Sequence, residues 1–159
     1  MTPSTNRDII IFRSSKEFIR CEWQDLSVGD IIRVRADQTV PADILLLSST
    51  SCESTCYLDT AAIDGESNLK QKLIPSGFLN ISDPDKIDFQ VQCDPPNDDI
   101  YRFNGRVTLS TNGEAFPCDN NNILLRGCVL RITEYIDGLI IYAGKPLGSN
   151  ENHLWLTLF

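Results

Sequence analysis

Cys56-Tyr57-Leu58-Asp59-Thr60-Ala61-Ala62-Ile63-Asp64-Gly65-Glu66-Ser67-Asn68-Leu69-Lys70 is the stretch on which the reading of this chain turns. An apolar, β-leaning segment runs into Asp64-Gly65-Glu66-Ser67, and an alternating segment leaves through Leu69, Gln71 and Leu73. Gly65 can take backbone angles closed to other residues, which permits a tight bend. The bend would hold a carboxylate, Glu66, beside a hydroxyl, Ser67, at an exposed tip. Those four letters alone also describe an ordinary surface turn, since turns favour these residue types.

Outward from this stretch, period-two alternation dominates and helical periodicity is scarce. Asp8 to Arg13 and Lys16 to Trp23 read as strands around Ser14-Ser15. Ile31 to Arg35 resumes as a strand after the turn Asp25 to Asp30, and Ala36 to Asp43 is a loop. Ile44 to Leu47 is a continuous apolar run, as expected of a strand covered on both faces. Pro75 to Asp99, with five Pro or Gly among its acids, reads as a long excursion holding one strand at Ile87 to Val91. Asn104-Gly105 between Tyr101 to Phe103 and Arg106 to Leu109 predicts a two-residue hairpin. Asp119 to Asn122 supplies a further turn, followed by apolar runs from Ile123 to Arg131 and Gly138 to Gly144. Many short strands with Gly, Pro and Asn turns predict an all-β sandwich or distorted barrel.

The 159 residues suit one domain that buries roughly two thirds of its unfolded surface. A net charge of −8 argues against a nucleic-acid or anionic-membrane surface, because either favours clustered Lys and Arg. The polar N-terminus has no signal-peptide core. No apolar run approaches the ~20 residues of a membrane helix, so the chain by itself is expected to be soluble. Its six cysteines are scattered, as reduced and mostly buried thiols of a cytosolic domain would be. Cys52 and Cys56 come closest to metal spacing, but structural zinc wants four ligands and no second pair supports them. The sequon Asn80-Ile81-Ser82 carries no weight without a secretory signal.

Asp59, Asp64 and Glu66 raise the idea of paired-carboxylate chemistry. Glycoside hydrolysis needs two carboxyls ~5–9.5 Å apart across a sugar-sized cleft, which one loop does not establish. A calcium loop needs oxygen ligands at alternate positions, where Asp59 to Asp64 places Ala and Ile. Ser67 as a nucleophile lacks a base, since the only histidine, His153, sits in the tail. What remains is a lone carboxylate: Glu66 can orient a water and accept its proton during attack on something supplied from elsewhere, such as an acyl-phosphate on another domain.

Three runs occur in order: Trp23-x-Asp25-Leu26-x-Val28-Gly29-Asp30-Ile31-Ile32, Val40-Pro41-Ala42-Asp43-Ile44-Leu45-Leu46-Leu47-Ser48-Ser49, and Asp64-Gly65-Glu66-Ser67-Asn68-Leu69-Lys70. Together they resemble the actuator domain of P-type ATPases, and the last points to the type-IV subfamily, the phospholipid flippases. Asn122 to Arg131, Thr133-Glu134-Tyr135 and Gly138 to Gly144 look like the same subfamily's actuator end. The resemblance implies a distorted jelly roll, similar to a double-stranded β-helix, over residues 7–144, a residual linker at 1–6, and an atypical tail at 145–159 outside the fold. It implies that Glu66 positions the water that hydrolyses an aspartyl-phosphate, and that Asp64, Gly65, Ser67 and Asn68 shape the docking loop. Ser67 stands where flippases more often carry Thr, which keeps the hydroxyl.

The partners implied are the phosphorylation domain of the same parent ATPase, an accessory membrane subunit and the phospholipid substrate, with the chain on the cytosolic side of a membrane. ATP and Mg2+ are implied for the parent, and no cofactor or metal for this chain. Nothing here resembles the family's phosphorylation motif, its nucleotide-binding domain or its membrane helices. The chain is therefore expected to be a truncated or partial product without turnover of its own. Two alternatives stay open: a stand-alone interaction or regulatory module with the actuator fold, and a carbohydrate-active jelly roll.

Overall fold

The computed structural model describes residues 8–12, 17–79, 81, 88–94, 102–142 and 154–157. In chain order come β1 (Asp8–Phe12), β2 (Phe18–Glu22), β3 (Ile31–Arg35), β4 (Asp43–Ser49), β5 (Thr55–Asp59), a one-turn helix α1 (Ala61–Asp64) and β6 (Lys70–Leu73). Then follow β7 (Phe89–Cys93), β8 (Asn104–Leu109), β9 (Ala115–Asp119), β10 (Ile123–Leu124), β11 (Val129–Arg131), β12 (Tyr135–Tyr142) and β13 (Leu154–Thr157). They form a six-stranded sheet (β10-β4-β12-β3-β1-β2), a three-stranded sheet (β11-β5-β6) and a four-stranded sheet (β13-β7-β8-β9). Pairing is antiparallel in each of them. The all-β expectation holds.

The alternation of β3, β4 and β12 sends successive side chains to opposite faces. Ile32, Val34, Ile44, Leu46, Ile136 and Ile140 join one core with Cys56, Leu58, Cys128 and Leu130. Ile31, Leu45, Leu47, Leu139 and Ile141 join a second core with Phe78, Phe89, Val91, Val107 and Phe116. The centre of the six-stranded sheet, β3, β4 and β12, is thus the middle layer, covered on both faces, which explains why Ile44 to Leu47 is apolar without a break. Phe78 fills the second core edge-on to Phe89 and Phe116, with ring centroids at 5.2 and 5.1 Å.

Several local expectations give way to tertiary context. Asn104-Gly105 is not a hairpin turn but lies inside β8, where Gly105 pairs with both Cys93 and Cys118. A Cβ there would come within 2.9 Å of the Cys118 sulfur and of the Phe103 ring, so close approach accounts for the glycine. The turn instead follows Leu109, at Gly113 with φ 70°. Pro117 sits in β9, which pairs only with β8 at a sheet edge, where its missing N–H costs no ladder bond. Of the strand expected at Ile87 to Val91, Ile87 lies outside the described residues, as does Tyr101 of the strand expected before Asn104. The run from Ile123 to Arg131 divides into β10 and β11, in different sheets, around Gly127 with φ 94°. The tail, expected to lie outside the fold, contributes β13 as an edge strand on β7.

Ile132, in the β11–β12 connection, is 80% exposed and holds φ 63°. A β-branched side chain in the left-handed region costs about 1–2 kcal/mol and here gains no burial in return. Ile132→Asn is expected to stabilise the chain by about 1 kcal/mol, read as a higher urea midpoint at unchanged slope.

Cys56, Cys93, Cys118 and Cys128 are buried free thiols. Burial pushes Cys56 and Cys118 up to about 12, and Cys93 and Cys128 up to about 11. In the unfolded chain a thiol titrates near 9.0, so above that pH the unfolded state releases protons that the folded state keeps. The thiol contribution is complete below pH 9.0 and is lost as pH climbs toward 11 and 12. Burial lowers the Lys72 ammonium, so its contribution moves the other way as pH approaches 10.5, one group against four. Under reducing conditions the melting temperature should fall steeply above pH 9.0; a flat profile by circular dichroism would contradict the buried thiols.

Candidate functional site

The stretch from β5 through α1 to β6 is held by its own side chains before any distant contact. Asp59 accepts the Ala61 N–H at 3.0 Å, fixing the entry to α1. The Thr60 hydroxyl donates to the Asp64 carboxylate at 3.0 and 3.1 Å, and Asp64 Oδ1 accepts the Glu66 N–H at 2.9 Å. Asp64 therefore staples both ends of the turn, as Asx residues do. Gly65 closes α1 with φ 73°, its N–H donating to Ala61 O at 2.9 Å. Ile63 packs against the first core, so the helix is anchored from below while the tip stays in solvent.

Glu66 projects from this tip, its side chain 50% exposed and ion-paired with Lys70. The pair, chiefly through the hydrogen bond, raises the Lys70 ammonium above its ordinary range. Ser67 and Asn68 are exposed beside it, and neither side chain hydrogen-bonds another described residue. The predicted residues Asp64, Gly65, Glu66, Ser67 and Asn68 thus share one loop, with Asp64 and Gly65 shaping it and Glu66 displayed. Chemically, the loop presents one exposed carboxylate on a braced bend. Among the described residues no three His, Cys, Asp or Glu side chains gather as a metal cluster.

Two supporting residues escape the sequence reading. Arg131 of β11 binds Asp37 at 2.7 Å and reaches Asp59 at 3.5 Å, bracing the entry to α1 from the neighbouring strand. Only the β5–β11 pairing, Tyr57 opposite Arg131, brings it there. Lys72 is the second: the alternation Leu69, Gln71, Leu73 suggests an inward apolar face, yet Leu69 and Leu73 are exposed and Lys72 is buried. Cys56 and Leu58 of β5 face the core, and their register partners are Lys72 and Lys70, so β6 must turn its lysines the same way.

The family model for the P-type ATPase actuator domain matches residues 6–131. The chain is 39% identical to mouse phospholipid-transporting ATPase VD, across 89% of this chain and 10% of that protein. It is 47% identical to human phospholipid-transporting ATPase ID across 82% of this chain and 11% of that protein. With human phospholipid-transporting ATPase IC it shares 41% identity, across 92% of this chain and 12% of that protein. The chain thus spans about a tenth of the length of these relatives.

A Cβ at Gly65 would meet nothing within 4 Å, so the glycine is required for its φ and not for space. Gly65→Ala should therefore destabilise by about 1 kcal/mol, the left-handed cost less the gain from a stiffer unfolded chain. A loss above about 3 kcal/mol in urea unfolding would instead indicate a steric role.

Proposed function

Since the chain belongs to the family of P-type ATPase actuator domains, we propose that it serves a phospholipid-transporting ATPase by hydrolysing that enzyme's aspartyl-phosphate through Glu66. The observation that carries this reading is the braced loop with a single displayed carboxylate. A water held by Glu66 attacks phosphorus in line, and the new O–P bond forms as the bond to the aspartyl oxygen breaks. Glu66 takes the water's proton, and the aspartate leaves as carboxylate. Little covalent chemistry is asked of the protein, so positioning carries most of the rate. Asp64 and Gly65 hold the loop in shape, while Ser67 and Asn68 are free to meet the docking surface.

The actuator unit is taken as residues 7–144, with β13 added at its edge. Its partner is the phosphorylation domain of the same ATPase, on the cytosolic side of a membrane, and movement of the unit couples hydrolysis to lipid transfer between leaflets. A phospholipid is the transported substrate, and an accessory membrane subunit is a further partner of the whole protein. ATP and Mg2+ act at the other domains; the described residues offer no metal cluster for Mg2+, and no step assigned to this chain runs through either.

The test places this actuator sequence in a full-length phospholipid-transporting ATPase and follows decay of the radiolabelled phosphoenzyme. Glu66→Gln keeps shape but removes the base, and should slow decay by about 10²–10⁴-fold while leaving phosphorylation intact. Decay at the parent rate would overturn the assignment.

A further inference from the structure

Thr60 stands at the N-terminal end of α1 and holds Asp64 twice. Its carbonyl oxygen accepts the Asp64 N–H at 3.0 Å. Its hydroxyl lies between the two Asp64 carboxylate oxygens, at 3.0 and 3.1 Å. A threonine in this position ordinarily turns its side-chain oxygen to a backbone N–H of the first helical turn. Thr60 makes no such cap bond. The first of those N–H groups, on Ala61, goes to Asp59 Oδ1 at 3.0 Å instead. Thr60 is also 7% exposed, so bulk water competes little for its hydroxyl.

Asp64 passes this constraint on. Its Oδ1 accepts the Glu66 N–H at 2.9 Å, across Gly65 at φ 73°. A short side chain at a loop tip can rotate between staggered positions and exchange a backbone partner for water. Here the carboxylate is tied to a buried hydroxyl at the end of β5, so Asp64 turns away from Glu66 only if that bond breaks. The backbone that carries Glu66 is thereby set relative to the small sheet and not by the loop alone. The hydroxyl forgoes the bond that favours the helix locally, and what it secures lies two residues beyond the helix, at Glu66. A local rule broken to hold a displayed carboxylate is the mark of a site.

We infer that Thr60 is a positioning residue for Glu66: through Asp64, its hydroxyl fixes the backbone from which the carboxylate is displayed. Thr60 contributes no atom to the reaction. Its effect on hydrolysis rests on the role proposed for Glu66, whereas its hold on the loop does not.

The test compares Thr60→Val, which keeps the shape and removes the O–H, with Thr60→Ser, which keeps the O–H. In the 159-residue chain, exchange of the Glu66 amide proton with water, followed by NMR, should quicken about tenfold in Thr60→Val, the worth of one hydrogen bond to a charged acceptor. Thr60→Ser should stay near the parent value. In the full-length ATPase carrying this actuator sequence, Thr60→Val should slow phosphoenzyme decay by about tenfold, while Thr60→Ser keeps it near the parent rate. On a Glu66→Gln background, Thr60→Val should add less than about twofold, because a residue that acts through Glu66 then has no base left to position. A hydroxyl that only stabilises the fold would lower the urea midpoint and slow decay equally in both backgrounds. That equality, or unchanged Glu66 exchange in Thr60→Val, would overturn the inference. Unchanged decay in Glu66→Gln alone would overturn the proposed function instead, and Glu66 exchange then decides for Thr60. Should Thr60→Val fail to fold, Thr60→Ala takes its place, with no methyl set against the Asp64 carboxylate.

Discussion

β12 has no free side. It pairs with β3 on one edge and β4 on the other, and both of its faces are buried. Such a strand admits a side chain only where the neighbouring layers leave room, and at Gly138 they leave none. A Cβ there would stand 2.9 Å from the Ile44 side chain and 3.0 Å from the Leu45 carbonyl oxygen. The β12–β4 register shifts between Asp137 and Gly138, which lets a polar residue enter the middle layer just beside the glycine. Asp137, 4% exposed, is then met by Arg33 at 2.8 and 3.1 Å and by Ser48 at 3.4 Å. The Arg33 guanidinium lies over the Phe18 and Tyr135 rings at 4.3 and 4.0 Å. A lone buried carboxylate would cost several kcal/mol, and this fork together with its aromatic bed removes that cost.

Everything that displays the loop is layered on this strand. Around the centre of the six-stranded sheet, the small sheet β11-β5-β6 packs on one side and the four-stranded sheet on the other. The small sheet is stabilised by its face against the first core, and it leaves the β5–β6 connection pointing outward. An exposed loop ordinarily loses its shape to entropy. Here Asp64, Thr60 and Asp59 satisfy its backbone and hydroxyl groups locally, Ile63 roots it in the core, and Arg131 ties its entry to β11. The tip is therefore exposed and ordered at once, which is the condition for a carboxylate to work on a group carried by another domain.

The all-β class, most strand positions and the turn at Gly65 were legible in the sequence, because each rests on a local rule: alternation, apolar runs, or a residue with unusual backbone freedom. The misread features rest on non-local facts. Asn104-Gly105 carries the letters of a hairpin, yet strands on both sides claim it, and sheet pairing outweighs turn preference. β9 was missed because Pro117 argues against a strand unless that strand is known to be an edge. The helix α1 is too short for periodicity to register. At the loop, the bend at Gly65 and the exposure of Glu66 were readable from turn chemistry. Arg131 and Asp37 were not, since only strand pairing joins them to Asp59.

Lys72 shows most clearly why the pairing register matters to the site. Residues two apart on a strand share a face. Read alone, the stretch from Leu69 through β6 offers Leu69, Gln71 and Leu73 to the core, and a slip of one residue against β5 would place them there. That slip would save the burial of an ammonium, but it would also turn Lys70 away from the side on which Glu66 stands. The observed register, Leu58 opposite Lys70 and Cys56 opposite Lys72, accepts a buried lysine and two exposed leucines. In return it sets both lysines on the wall of a cavity of ≈ 200 Å³ beside the loop, Lys70 paired with Glu66 and Lys72 bonded to the Asn120 carbonyl oxygen. A register chosen for burial alone would have been the other one, so the lysine face of β6 is the part of this fold that is best explained by the loop above it.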